Sequence, residues 1–272
     1  MFRFISFGSG TSGNCYLLYT SSDALLIDVG VGLRGLKKHF HDYGLDLSMV
    51  RHVLVTHNHA DHVKSVGSFS TTFNVPVYAT AKVHRGIREN VCVRKKIPRV
   101  LVRTIEKDTT FMLGDFQVTP FEVPHNSPEN VGYLIKSEGV TFCLLTDVGS
   151  LNPGIRHAIS MADYLVIEAN FNIDMLNRGP YPEGMKKQIL SDTGHQSNVD
   201  CGKALSENAS KNLKHIWLCH LSGTNNSQST ALLDVRAVIE EAVKVDPSRR
   251  FLLDVPIDAL SRKIPSEIFN LK

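Results

Sequence analysis

The stretch Thr56-His57-Asn58-His59-Ala60-Asp61-His62 places four side chains of the metal-ligating type within six residues. It follows a short apolar run that predicts a buried strand. Just past a strand end, residues i and i+2 point the same way, so His57 and His59 can hold one ion. Asp61 and His62 lie further round the turn and can face a second ion. The stretch therefore predicts a two-metal hydrolase rather than a histidine-rich surface loop, and imidazole with carboxylate suits zinc, manganese or iron.

Three later predicted strands each end in another side chain of the ligating type. These residues are His125, Asp147 and His220. Taken singly, a His or Asp after a strand is usually a turn residue or a hydrogen-bonding residue. Together with the cluster, the three indicate a metal centre along one rim of a sheet sandwich.

The order of predicted elements indicates the fold class. Short strands dominate the first half, and helices alternate with strands from about Asn152 onward. A long helix is predicted around Ser229 to Val245, followed by a last strand at Phe251 to Asp254. Strands followed by helices, twice over, predict an α/β fold in which two sheets pack face to face with helices outside. We therefore expect a four-layer αββα sandwich that forms one domain over residues 1–272.

Composition favours a protein of the cytoplasm. The five cysteines are an odd number, are widely spaced and include no C-x-x-C pair, which is atypical of a disulfide framework. The first residues lack the apolar stretch and cleavage site of a signal peptide. No apolar run approaches the roughly 20 residues that cross a bilayer. We expect a cytoplasmic protein without a membrane partner.

With these residues assembled, the chain resembles the metallo-β-lactamase-fold superfamily. The motif His57-x-His59-x-Asp61-His62 is the signature of that superfamily, and the later candidates follow in the family's order. Within it, the chain is similar to the YycJ (WalJ) group, most specifically in Gly194-His195-Gln-Ser-Asn198 and in the stretch from His220 to Asn226. This resemblance implies a DNA exonuclease of 5′-to-3′ polarity.

The same resemblance implies a set of site residues and two divalent metal ions, zinc or manganese foremost and iron as a third choice. One ion would be held by His57, His59 and His125, the other by Asp61, His62 and His220. Asp147 would bridge the two ions. His195 would be catalytic, as general acid or as donor to the phosphoryl oxygen, and Asp61 would be essential to catalysis. Asp28 follows an apolar run and could itself be a ligand, but we expect it, and with it Glu168 and Asn170, to support the ligands by hydrogen bonds.

Two differences from other members of the superfamily narrow the expected function. True β-lactamases use a cysteine in their second metal site, whereas here Cys219 stands beside His220 and a histidine follows Asp61. This disfavours β-lactam hydrolysis. Asp147 and Gly194 are only 47 positions apart, which leaves no room for the large inserted domain of the bigger nucleases of this fold.

Charge distribution bears on the substrate. Eight cations lie between Lys82 and Arg103, and only Glu89 opposes them. This basic stretch could follow a phosphate backbone, which favours nucleic acid as partner; it could equally be a solvated surface. The resemblance to the YycJ group implies DNA over RNA. A small-molecule phosphodiesterase, a thioester hydrolase and a metal-binding sensor without turnover remain alternatives. The turn from Gly8 to Asn14 either presents N–H groups to phosphate or is a tight hairpin.

Overall fold

A computed structural model describes residues 1–272 and contains two sheets of seven strands each. Spatial order in the first sheet is β14-β1-β2-β3-β4-β5-β6. Its strands are β1 (Phe2–Gly8), β2 (Cys15–Tyr19), β3 (Ala24–Ile27), β4 (Val50–Leu54), β5 (Val77–Ala79), β6 (Val102–Thr104) and β14 (Phe269–Leu271). The last strand of the chain pairs antiparallel with the first.

The second sheet has the spatial order β13-β12-β11-β10-β9-β8-β7. Its strands are β7 (Phe111–Leu113), β8 (Phe116–Glu122), β9 (Val131–Ser137), β10 (Val140–Leu145), β11 (Tyr164–Glu168), β12 (His215–Cys219) and β13 (Ile257–Ala259). Strands β10 to β13 are parallel, and β8 runs in their direction because two antiparallel pairings separate it from β10. The carboxyl ends of β8, β10, β11 and β12 therefore lie at one edge of the sheet.

Nine α-helices and three short 3-10 helices connect these strands. The α-helices are α1 (Leu33–Asp42), α2 (Ala60–Val63), α3 (Val66–Phe73), α4 (Ala81–Glu89), α5 (Pro153–Met161), α6 (Ile173–Arg178), α7 (Glu183–Ile189), α8 (Asn198–Asn208) and α9 (Gln228–Val245). The 3-10 helices are Leu47–Met49, Arg99–Leu101 and Pro247–Leu253. None of these helices combines the length and the apolar content that crossing a bilayer requires.

Three apolar cores separate four layers and confirm the predicted αββα sandwich. The middle core lies between the sheets, where Phe4 of the first sheet packs on Phe142 and Trp217 of the second. One outer core joins the first sheet to α1, α3 and α4. The other joins the second sheet to α5, α8 and α9. Strands buried on both faces explain the near-continuous apolar runs in the sequence.

The predicted strand at Phe251 to Asp254 is wrong. These residues belong mainly to the 3-10 helix Pro247–Leu253, which the Asp246 side chain caps by accepting from the Ser248 N–H. Proline is tolerated at the first position of such a helix because its missing N–H would have had no partner. The edge strand of the sheet comes after the next proline, as β13. The sequence prediction also missed α6, a helix of six residues.

The contact between the sheets generates a stability prediction. Phe4 is fully buried, with ring centroids 5.1 Å from Phe142 and 4.8 Å from Trp217. Phe4→Ala should lower the free energy of unfolding by about 3–5 kcal/mol, because a cavity replaces those contacts. Urea denaturation measures the change, and Leu233→Ala on the exposed face of α9 is the control with little expected effect. A Phe4→Ala loss below about 1 kcal/mol would contradict a packed interface there.

Candidate metal centre

The histidine loop begins where β4 ends and is fixed by residues at other strand ends. Asp28, which follows β3, accepts hydrogen bonds of 2.9 Å from both the N–H and the hydroxyl of Thr56. Gly30 lies so close to the Asp61 carbonyl oxygen that a Cβ there would clash with it. The Asn14 N–H donates to the same carbonyl over 2.7 Å. Residues at the ends of β2, β3 and β4 therefore fix the position of the loop.

The first group of candidate ligands consists of three histidines, each with one ring nitrogen occupied by the protein. His57 Nδ1 contacts the Thr56 hydroxyl at 3.0 Å, His59 Nε2 donates to the Asn126 carbonyl over 2.9 Å, and His125 Nδ1 donates to the Gly194 carbonyl over 3.0 Å. The other three nitrogens converge. Together with one Asp147 oxygen, they lie within 4.8 Å of one another.

A second group is formed by Asp61, His62 and His220, whose ligating atoms also lie within 4.8 Å of one another. His62 Nδ1 donates to the Asp28 carboxylate over 2.7 Å, and His220 Nδ1 donates to the Glu168 carboxylate over 2.9 Å. Since a carboxylate can only accept, the Nε2 atoms of both rings are left facing Asp61. Their distances to Asp61 Oδ2 are 3.6 Å and 3.4 Å.

Asp147 lies between the two groups. One of its oxygens is 3.5 Å from His125 Nε2, and the other is 3.1 Å from His62 Nε2. The Thr146 hydroxyl donates to the second oxygen over 2.8 Å. A carboxylate with one oxygen toward each group is the arrangement expected of a bridging ligand.

The donor set fits divalent metal ions. His57 Nε2 is buried and has no hydrogen-bond partner in the protein, which is costly unless something else contacts it. Burial lowers the pKa of His57, and it also lowers the pKa of His59 and of His125. These rings are therefore neutral, the form that binds zinc or manganese. The cluster is suited to binding divalent cations.

The second group carries more negative charge. Burial lowers the pKa of His220, but Asp147 and the contacts with Asp61 and Glu168 outweigh burial and raise the pKa to about 10. Burial also lowers the pKa of His62, but the carboxylates of Asp147, Asp28 and Asp61 outweigh burial and raise this pKa well above its ordinary value. A cation is thus favoured at this position, whether it is a proton or a metal ion.

Glu168 organises the histidines of the second sheet. It is fully buried at the end of β11, and its oxygens accept from His195 Nδ1 at 2.9 Å, His220 Nδ1 at 2.9 Å and the Val148 N–H at 2.7 Å. Burial raises the pKa of Glu168, but the charge and hydrogen bond of His195 outweigh it and lower the pKa to about 2. The support by hydrogen bonds expected of Asp28 and Glu168 is therefore found in the structure.

The structure brings all eight residues singled out by the sequence to one edge of the sandwich. They are His57, His59, Asp61, His62, His125, Asp147, His195 and His220. Sequence reasoning missed the direct contacts of Asn14 and Ser9. The Asn14 amide lies 2.9 Å from His62 Nε2 and 3.2 Å from Asp61 Oδ2, and the Ser9 hydroxyl accepts from the His220 N–H over 2.9 Å. The signal was the polar, glycine-rich turn that contains them.

That turn takes the hairpin form. The Ser9 N–H donates to the Ser261 carbonyl, the Gly10 N–H to the Asn14 side chain and the Gly13 N–H to the Gly10 carbonyl. These N–H groups are used inside the protein, which favours the hairpin interpretation over phosphate binding.

Comparison with known proteins agrees with this geometry. The family model described as the Beta-lactamase superfamily domain matches residues 24–215. The chain belongs to this superfamily. It is 32% identical over 239 residues to a protein of Bacillus anthracis named exodeoxyribonuclease YycJ, covering 88% of this chain and 89% of that one. It is 30% identical over 230 residues to exodeoxyribonuclease WalJ of Streptococcus pneumoniae, covering 85% of each.

A solved structure has the same fold over nearly the whole chain. The Zn²⁺-bound PqqB of Methylobacterium extorquens matches with a TM-score of 0.72 at 15% identity, over 97% of this chain and 99% of that one. Cys219 is fully buried between the sheets and its thiol contacts the Leu145 carbonyl at 3.5 Å, so it does not join the ligand groups.

The Asp28 contact generates a metal-affinity prediction. Asp28→Asn should weaken metal binding about 10- to 100-fold, because Asp28 orients the His62 ring, and competition with a chelator measures the affinity. Asp23→Asn is a matched control, since Asp23 precedes the same strand, is also buried and contacts another histidine, His52, at 3.3 Å. Equal metal affinity in the two variants would show that the Asp28 contact does not tune the centre.

Proposed function

We propose that this protein is a dinuclear metal-dependent phosphodiester hydrolase that removes nucleotides from DNA ends in the 5′-to-3′ direction. The observation that carries the proposal is the position of Asp147, with one oxygen toward each ligand group and His195 beside both. Two adjacent cation sites and a neighbouring acid match the needs of phosphodiester hydrolysis. The names of the relatives that cover most of the chain support DNA as the substrate.

The proposed ligands follow from the two groups. His57, His59 and His125 would hold one ion, and Asp61, His62 and His220 the other, with Asp147 between them. When bound, zinc or manganese ions would neutralise phosphoryl charge and lower the pKa of the attacking water. Asp28 and Glu168 keep the rings of His62 and His220 oriented by accepting hydrogen bonds from their Nδ1–H groups. Asp61 is essential in this scheme because it faces both His62 and His220.

His195 supplies the proton in the proposed reaction. Its Nδ1–H donates a hydrogen bond to Glu168 over 2.9 Å, so Nε2 is the ring nitrogen that can contact the substrate. Burial lowers the pKa of His195, but the Glu168 carboxylate outweighs burial and raises the pKa. A protonated ring donates from Nε2 to the leaving oxygen as the bond between phosphorus and that oxygen breaks. Glu168 then stabilises the orientation of the ring that has lost its Nε2 proton.

The basic stretch supports nucleic acid over a small substrate. All eight of its cations are exposed, and only Lys82 has an ion pair, with Glu129 at 3.6 Å. The stretch is attached to the histidine loop through Asn58: the Asn90 amide donates to the Asn58 carbonyl over 2.8 Å, and Gly86 packs on the Asn58 side chain. Exposed positive charge beside the candidate centre favours a polyanion, so a small phosphodiester or a thioester is not favoured.

The central test is nuclease activity of the metal-loaded protein. Single- and double-stranded DNA and RNA, labelled at either end, are incubated with the protein and Mn²⁺ or Zn²⁺. Stepwise shortening of DNA from the 5′ end is expected. His195→Ala should reduce the rate about 10²- to 10⁴-fold while keeping its metals, whereas Asp61→Ala should lose both activity and metal. No cleavage of any nucleic acid by the metal-loaded wild type would overturn the proposal.

The basic stretch generates a separate prediction on salt dependence. Arg85→Gln with Arg88→Gln should raise KM for DNA and reduce the slope of log KM against log salt by about 0.7 for each lost single-strand phosphate contact. Lys211→Gln with Arg250→Gln is the matched control: both cations are exposed, and Lys211 precedes β12, at the end of the strand away from His220. An unchanged slope in the Arg85 and Arg88 variant would contradict a phosphate-binding role for this face.

A further inference from the structure

A cavity of about 270 Å³ opens directly beside the candidate metal centre. Two first-group histidines and the proposed acid form one wall of the cavity, and α7 with the loop that follows it forms the other. The lining residues are His59, His125, Asn126, Met185, Gln188, Ile189, Thr193, Gly194 and His195. Apart from the histidines, none of these side chains can carry a charge, in contrast to the eight cations of the basic stretch.

Helix α7 presents apolar side chains to this cavity instead of to a core. No residue of α7 is buried, Met185 is 46% exposed and Ile189 is half-buried. Exposed apolar residues that line a concave site commonly mark a binding surface.

The position of α7 relative to the reacting groups is fixed by the backbone. The His195 N–H donates to the Ile189 carbonyl over 3.0 Å, and a Cβ at Gly194 would clash with the carbonyl oxygens of Gln188 and Ile189. The Gly194 carbonyl in turn accepts from His125. A ligand that rests on Met185 and Ile189 is therefore held at a defined place beside His195 and the first ligand group.

We propose that this cavity is a nucleoside-binding subsite that takes the base and sugar of the terminal nucleotide. The inference rests on the proposed function and deepens it. The flat face of a base packs on Met185 and Ile189, and its edge meets the side-chain amides of Asn126 and Gln188, which are exposed and have no hydrogen-bond partner in the protein. Contact with a base face is tolerant of sequence, because every base has one.

The nucleoside in the cavity is the one that carries the leaving oxygen. His195 forms part of the cavity wall and is the proposed donor to that oxygen, so the oxygen and its sugar must lie on the His195 side of the phosphate. The phosphate itself faces the metal ligands. One cavity of about 270 Å³ beside the centre accommodates a single nucleoside, which suits removal of nucleotides one at a time from an end.

The test compares two oligonucleotides that differ only at the nucleotide removed first: one carries a normal base and the other a tetrahydrofuran abasic residue. Metal-loaded wild-type protein should show a kcat/KM about tenfold higher with the base present, because the base buries apolar surface against Met185 and Ile189 that an abasic residue leaves in water. Met185→Ala should reduce this preference several-fold at unchanged metal content. Leu190→Ala, at an apolar and 53% exposed neighbour outside the cavity, should keep the full preference.

The outcomes separate the two proposals. If the wild type shortens both oligonucleotides at equal efficiency, the nuclease proposal stands and the subsite is wrong. If Met185→Ala and Leu190→Ala keep the same preference as the wild type, the base is recognised elsewhere and the subsite is again wrong. If metal-loaded wild type shortens neither oligonucleotide, the nuclease proposal fails and the subsite fails with it.

Discussion

Two carboxylates with no exposed surface, Asp28 and Glu168, lie behind the histidines and accept hydrogen bonds from their Nδ1 atoms. Burying a carboxylate is costly unless hydrogen bonds and opposite charge compensate it, and each of these has several donors. In return, every ring they contact has one nitrogen occupied and the other directed into the centre. That constraint determines which ring nitrogen of His62, His195 and His220 faces the centre.

The backbone contributes a second constraint at the same edge of the sandwich. Asp28, Asp147 and His220 each follow a strand and adopt left-handed φ angles of 60°, 55° and 52°. Such a conformation costs about 1–3 kcal/mol for a residue other than glycine, and it persists only where surrounding contacts determine it. Here the contacts come from β3, β10 and β12, the largely buried strands that precede these residues. A rigid double sheet thus holds three strained turns in the orientation that the centre requires.

The cluster from His57 to His62 could be predicted from the sequence because its four ligand-type residues lie close together in the chain, directly after a strand. The sandwich also followed from the order of elements. The contacts of Asn14 and Ser9 with the second group, and of Gly86 with Asn58, join residues far apart in the chain. The glycine-rich turn marks Ser9 and Asn14 as candidates, but no local pattern shows which residues they contact. The strand expected at Phe251 to Asp254 was wrong because the run Phe251-Leu252-Leu253 is apolar, and the Asp246 cap that selects the 3-10 conformation stands five residues earlier.

The histidine loop also relates the chemistry of the centre to the two surfaces that flank it. Asn58 contacts α4 and the basic stretch, whereas its neighbour His59 donates to Asn126 and lines the uncharged cavity under α7. One residue step along the loop therefore separates a cationic surface from an apolar one. A nucleic-acid strand has the same division, since its phosphates are charged and its bases are not. Under the proposed function, the loop that supplies the first ligands also sets how the strand is oriented, with its backbone toward α4 and its terminal base toward α7.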